Sequence, residues 1–306
     1  MTFNVTSLQE LVREFSDEQK CIAFLEEIFW NGTPVSPFDP TSKVYKCKNN
    51  KYRCLNTGKY FNVKTGTIFE NSKIKLTDWF VAIWLFTTHK GGLSSCELSR
   101  EIHVTQKTAW FMLQRIRKTV EFENNTGLDN EIELDETYVG GLNKNRHANK
   151  KVKHAQGRSC KDKVPVFGMI ERGGKVVANV VNSTSERDLM PHITRTVEFT
   201  ATLFTDEWVA YKNLDEVYEH FIVNHGIGQY VFGNATTNRM ENFWGNFKRS
   251  IIGVYRVLSK WHLQKYVDES VFRFNTRKMQ PYERFVYLLP HTNNCRLKYK
   301  ELKNAC

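Results

Sequence analysis

The chain has 306 residues, 44 Lys+Arg against 33 Asp+Glu and a formal charge of +11; its 41% hydrophobic and 13% aromatic content excludes a disordered chain and suffices for two or three packed units. The longest apolar stretches, such as residues 80–86, fall far short of the roughly 20 residues of a membrane span, and Glu10, Arg13 and Glu14 interrupt any signal-peptide core. Seven cysteines at irregular spacing argue for reduced intracellular thiols over a disulfide framework, and the positive excess points to a polyanionic partner.

Residues 7–30 predict a helix, with Ser16 as N-cap, Gln19 three residues on, and Ala23, Phe24, Ile28 and Phe29 at helical spacing. Gly32 to Pro40 ends it. Residues 41–75 change to short, Gly-punctuated alternating segments at 43–47, 52–54, 60–63 and 67–69, a small antiparallel β unit. This stretch holds nine Lys/Arg against Glu70, a net +8. A helix rich in Trp79, Phe80, Ile83 and Trp84 comes next.

Residues 93–102, a break at 103–105, and residues 106–117 then read as helix, short turn, helix. Leu98 and Ile102 can pack on Ala109 and Leu113, while Thr105, Gln106 and Lys107 open the second helix, where a helix-turn-helix makes base contacts. An ordinary helical hairpin fits the same pattern.

From residue 131 the period changes from 3.6 to 2. Strands are expected at 132–139, 164–170, 175–181, 201–204 and 220–223, and helices at 186–197, 208–214, 238–248 and 260–274, which together predict an α/β domain with a mixed sheet. The tail from Pro281 carries no clear pattern.

Three acids stand out by position. In Ile132-Glu-Leu-Asp-Glu-Thr-Tyr138, alternation places Ile132 and Leu134 on one face and Glu133, Asp135 and Thr137 on the other, so Asp135 is mid-strand, where Asp is disfavoured. A solvated edge-strand face is the other reading. Asp206 falls just past the carboxyl end of a strand, the usual place for a site in an α/β sheet, although taken alone it reads first as an N-cap for the helix expected at 208–214. Glu241 shares a helical face with Asn238, Gly245 and Lys248, beside the apolar stripe Met240, Phe243, Trp244 and Phe247; Asn238 with Glu241 also reads as a capping box.

A strand carboxylate, a second after a later strand and a third on a subsequent helix is the order in which an RNase H-like fold gathers three acids. Such a cluster repels itself unless divalent cations fill it, and oxygen ligands suit Mg²⁺ or Mn²⁺. Two ions could serve phosphodiester chemistry by activating one oxygen and stabilising another.

The chain resembles DDE-type transposases of the IS1595 group, whose catalytic module is the ISXO2-like transposase domain. The resemblance rests on residues 66–70 (Gly-Thr-Ile-Phe-Glu), 107–112 (Lys-Thr-Ala-Trp-Phe-Met), 115–117, 132–141, 166–169 (Val-Phe-Gly-Met), Thr205-Asp206-Glu207, and the run from Thr237-Asn238 to Lys248-Arg249. It spans about residues 30–278. It implies Asp135, Asp206 and Glu241 as the metal-binding triad, with Asn238 the competing third position and Lys248 the accompanying basic residue. The family's amino-terminal zinc ribbon usually carries two Cys-x-x-Cys pairs; here the places read Thr33-Pro-Val-Ser36 and Cys54-Leu-Asn-Thr57, so a ribbon without zinc is expected, held by Tyr45, Tyr52, Tyr60, Phe61 and Phe69. Thr236 stands where the family commonly has His, with His225 the nearest replacement.

Between residues 140 and 163 lie eight Lys/Arg against Asp162, directly after the strand bearing Asp135. Lys144, Arg146, Lys150, Lys151 and Lys153 of this loop, with Arg249, are expected on DNA phosphates, which predicts strongly salt-dependent binding. Residues 228–233 are a second candidate rim.

The organisation this implies is amino-terminal helices at 1–30, a degenerate zinc-ribbon-like β unit at 31–75, a helix-turn-helix region at 76–120, an RNase H-like DDE domain at 130–278 and a tail at 279–306. The expected activity is metal-dependent nicking and strand transfer at insertion-sequence ends, by a cytoplasmic homo-oligomer acting on terminal inverted repeats and target DNA. A repurposed DNA-binding protein and an RNase H-like nuclease are the rivals.

Overall fold

The computed structural model describes residues 5–140, 147–151, 162–223 and 238–304. The chain divides into two compact units, Met1–Val120 with Lys278–Cys306, and Glu121–Arg277. Among the described residues no helix is long and apolar enough to cross a membrane.

The first unit opens with two helices where the spacing predicts one, α1 (Leu8–Glu14) and α2 (Glu18–Trp30). Ser7 and Glu10 form a capping box on α1, and Asp17, rather than Ser16, caps α2 by accepting the N–H groups of Gln19 and Lys20. Phe15 at the break packs on Phe24 and Phe80, at ring separations of 5.0 and 4.9 Å.

Strands β1 (Val44–Lys46), β2 (Tyr52–Cys54) and β3 (Tyr60–Phe61) form an antiparallel sheet in that order. Its core is Tyr52, Cys54 and Phe61 with Trp30 and Val44. Tyr45 and Tyr60, expected inside, are exposed. Both sit opposite Arg53 in the register, and with Tyr52 and Cys54 inward the whole Arg53 row must face out. Residues 67–69 form a turn instead of a fourth strand, and Phe69 is buried against Trp79 at 5.4 Å.

Helix α3 (Leu76–Thr88) is buried on most of its circumference, as a central helix must be. Helices α4 (Ser95–Glu101) and α5 (Gln106–Thr119) come next, capped by Ser94 and Thr105. Leu98, Ala109 and Leu113 are buried, and His103 adopts a left-handed φ of 51° in the connection.

The second unit carries a five-stranded sheet of β4 (Glu131–Gly140), β5 (Lys163–Glu171), β6 (Val176–Val180), β7 (Thr202–Asp206) and β8 (Glu219–Val223), ordered β6-β5-β4-β7-β8. The first three strands pair antiparallel, whereas β7 runs parallel to both β4 and β8. Helix α6 (Glu186–Thr196) lies on one face, where Leu189 and Ile193 meet Ile132, Leu134, Phe167 and Leu203. Helices α7 (Asn238–Ser250) and α8 (Leu263–Asn275) cover the other, where Met240, Phe243, Trp244 and Val267 meet Val166, Ile170 and Ala178. The sheet is therefore buried on both sides. Residues 208–214, expected as one helix, are two 3-10 turns, Val209–Tyr211 and Leu214–Glu216.

The segment after Lys278 belongs to the first unit and is not a featureless tail. Helix α9 (Pro281–Leu288) buries Phe285 against Phe80 at 5.5 Å, and the Arg284 guanidinium donates to the Thr87 carbonyl at 2.6 Å. Helix α10 (Tyr299–Asn304) sets Tyr299 against Phe111 of α5 at 5.5 Å. The buried positions of α9 and its C-cap, Phe285, Leu288 and Leu289, follow helical spacing, but the stripe is only one turn long.

Candidate active site

The strand alternation that buries Ile132 and Leu134 on the α6 face sends Glu133, Asp135 and Thr137 to the α7 face. Strand β7 runs parallel alongside with Glu131, Ile132 and Glu133 opposite Thr202, Leu203 and Phe204. The paired stretch ends at Glu133 and Phe204; Asp135 and Asp206 each lie two residues beyond it, close enough for the Asp206 charge to act on Asp135.

Helix α7 reaches this face through a glycine. Gly168 is the register partner of Asp135 on β5, and a Cβ there would lie 2.2 Å from Met240 Cε and 2.6 Å from Trp244 Cζ2. The absent side chain lets α7 rest directly on the sheet. Glu133 then fixes the start of the helix: its Oε2 accepts the backbone N–H groups of Arg239 (2.9 Å) and Met240 (3.3 Å), while Arg172 Nε donates to its Oε1 at 3.0 Å. Glu133 is fully buried, so this ion pair and the two helical N–H groups are its compensation. Asn238 is already the first residue of α7, so the capping-box reading of Asn238 and Glu241 gives way to a cap from a distant strand.

Burial pushes the Asp135 carboxyl up to about 8, helped by the charge of neighbouring Glu136 and by those of Asp206 and Glu241. The charges of Asp206 and Glu241 thus both reach Asp135. Glu241 is exposed on α7, and among the described residues no three His, Cys, Asp or Glu side chains are gathered within reach of a single ion. The two observations agree, because charge repulsion extends over several ångströms whereas Mg²⁺ needs oxygens at about 2.1 Å. Asp206 does not cap a helix: Trp208 precedes the 3-10 turn Val209–Tyr211, and Asp206 Oδ1 accepts the Trp208 N–H at 3.0 Å as a local turn contact.

Behind this group, buried Tyr211 donates its hydroxyl to Glu136, which points to the α6 side. Burial and the Glu136 charge hold that phenol well above its usual range. Sequence reasoning assigned no role to Glu133, Glu136, Gly168 or Tyr211. The strand alternation already placed Glu133 beside Asp135, but its partners lie 39 and more than 100 positions away.

The family model of the ISXO2-like transposase domain matches residues 127–275. That span is an ISXO2-like transposase domain. An uncharacterized protein in transposable element ISH50 of Halobacterium salinarum is 26% identical over 269 residues, 84% of this chain and 90% of the relative. An uncharacterized transposase-like protein of Haemophilus influenzae is 28% identical over 107 residues, 35% of this chain and 85% of the relative. A pre-cleavage Mos1 transpososome aligns over 94% of this chain and 95% of its own at 11% identity, but with a TM-score of 0.26 it carries no argument.

Of the residues expected around the transposase domain's acids, Lys248 and Arg249 are exposed on α7, with Arg249 donating to Asn246 at 2.7 Å. Lys151 is exposed beside the 3-10 turn Ala148–Lys150. Lys144, Arg146, Lys153, His225, residues 228–233 and Thr236 lie outside the described residues, as does the side chain of Lys150.

In the first unit, Thr105, Gln106 and Lys107 are all exposed at the start of α5. Thr105 accepts the Thr108 N–H at 3.2 Å, Gln106 donates to Ser95 Oγ at 2.7 Å, and Lys107 Nζ sits 5.3 Å from the Tyr299 ring centroid. The family's zinc positions do not fit the metal here. Burial pushes the Cys54 thiol up, but hydrogen bonding with Ser36, Ser42 and Thr57 outweighs it and brings the thiol to about 6. One sulfur among hydroxyls is not the N/S tetrahedron that zinc requires.

Proposed function

We propose that this chain is an RNase H-like DDE transposase that nicks DNA at the ends of an insertion sequence and joins the freed 3′-OH to target DNA. The observation carrying this reading is the juxtaposition of Asp135 and Asp206 on neighbouring parallel strands, with Asp135 held protonated to about pH 8 by burial and by the surrounding acids. An enzyme that did not need negative charge here would not gather it against its own folding; a cationic ligand gives the arrangement a use.

Asp135, Asp206 and Glu241 would hold the divalent cations, with Asn238 on the same α7 flank as the alternative third donor. All are hard oxygen donors, the set that suits Mg²⁺ or Mn²⁺. When bound, such ions supply charge stabilisation to the attacking and departing oxygens of phosphodiester exchange. Lys248, two turns beyond Glu241 on one helical face, orients a DNA phosphate by charge. Glu133 and Arg172 position α7, and Glu136 with Tyr211 holds the opposite face of the same strand. Thr105, Gln106 and Lys107 would contact the terminal repeats from α5.

The test is cleavage and joining of duplexes carrying the sequences that flank the gene, with Mg²⁺ or Mn²⁺, by the full-length protein and by Asp135→Ala. Both products are expected from the first and neither from the second. Cleavage without joining would make the protein a nuclease, and binding without either would make it a DNA-binding protein.

A further inference from the structure

The connection from α7 to α8 is built unlike an ordinary surface loop. After Ser250 the helix widens into a π-helical turn, Ile251–Tyr255, and closes at Arg256 with φ 66° and ψ −58°, a backbone conformation that strains any residue with a side chain. One side of the segment is firmly seated: Ile251, Tyr255 and Leu258 pack on the core, Tyr255 lies 4.8 Å from Tyr266, and its hydroxyl donates to Glu269 at 2.7 Å. The other side presents Ile252, Val257 and Trp261 to solvent at 68%, 84% and 54% exposure.

Large apolar side chains held outward on an anchored, strained frame form a surface that excludes water only when something covers it. The charge around them selects the cover. No Asp or Glu occurs from residue 242 to residue 267, whereas Lys248, Arg249, Arg256, Lys260 and Lys265 do. Lys260 Nζ lies 4.5 Å from the Trp261 ring centroid, so the exposed indole carries a cation with it. Ile252 comes after Glu241 and Lys248 at the i+11 and i+4 helical spacings, which continues the flank of α7 that bears the candidate active-site acid.

We infer that residues 251–261 form a DNA-distorting wedge, in which Trp261, Val257 and Ile252 enter the duplex and unstack bases while Lys248, Arg249, Arg256 and Lys260 hold the flanking phosphates. A second protein copy would bring the same cations against themselves, whereas a polyanion with apolar base faces matches both halves of the surface. The wedge rests on the transposase reading above and deepens it. Opening the duplex frees the backbone to bend into a site of crowded carboxylates.

The test uses the full-length protein and a duplex from the gene's flanking sequence, labelled with fluorescein for anisotropy and with 2-aminopurine at successive positions. The wild type is expected to raise 2-aminopurine fluorescence at one or two positions. Trp261→Ala is expected to bind about tenfold more weakly and to lose that rise, with an unchanged melting temperature because the ring is exposed. Trp261→Phe, which keeps an aromatic face, should retain most of both signals. If the wild type cuts DNA and Trp261→Ala binds and unstacks as the wild type does, the wedge is wrong and the transposase reading stands. If the wild type neither binds nor cuts, both fall. If Trp261→Ala instead changes the sedimentation of the DNA-free protein, the surface belongs to a second copy and the wedge is overturned.

Discussion

Asp135 has a titration that a purely structural carboxylate would avoid. With its carboxyl near 8 in the fold and about 4 in an unfolded chain, the folded protein binds one more proton between those values. Stability contributed by that proton is present at low pH and lost as pH rises through 8. In EDTA, Asp135→Asn is therefore expected to melt higher than the wild type, with a gap that widens from pH 5 to pH 8, while Mg²⁺-dependent cleavage disappears. A gap independent of pH would assign Asp135 an ordinary environment. The charge of buried Glu133 is matched by Arg172 and by two N–H groups of α7. Glu133→Gln removes the fully buried charge facing Arg172, which keeps its ion pair with the more exposed Glu131 at 2.8 Å, and urea titration should show about 3 kcal/mol of lost stability.

Elements rather than single residues bring the acids together, and Gly168 shows how closely. In Gly168→Ala the new methyl meets the ends of the Met240 and Trp244 side chains, and these must shift at a cost of about 1–3 kcal/mol. A shift of the buried Trp244 displaces the α7 turn that carries Glu241; metal-dependent cleavage is expected to fall further than the loss of stability explains, measured well below the melting temperature. The placement of Asp135 within a strand and of Asp206 near a strand end was legible in the sequence because strand period and strand ends are local signals. The way α7 is capped was not, since Glu133 precedes Arg239 by 106 positions and a local capping box offered a sufficient explanation. The small β unit was legible in its strands but not in its core, because Tyr45 and Tyr60 face out with Arg53 through register alone. With hydroxyls around Cys54 instead of zinc ligands, EDTA should leave the melting of the full-length protein unchanged; a fall of several degrees would mean that a metal supports this unit after all.

At the scale of the molecule, the +11 charge is unevenly spread. A net +8 lies in residues 41–75, the stretch containing the small β sheet, and an acid-free stretch with five cations comes after Glu241. The proposed transposition reaction needs DNA held at more than one place, and charge arranged in this way supplies sites for it. If the second unit cuts and joins DNA with a divalent metal, flanking-sequence duplexes incubated with the full-length protein in Mg²⁺ or Mn²⁺ yield both nicked and joined products, and Asp135→Ala yields neither. Equal products from the two proteins would remove Asp135 from the chemistry and with it the proposed function.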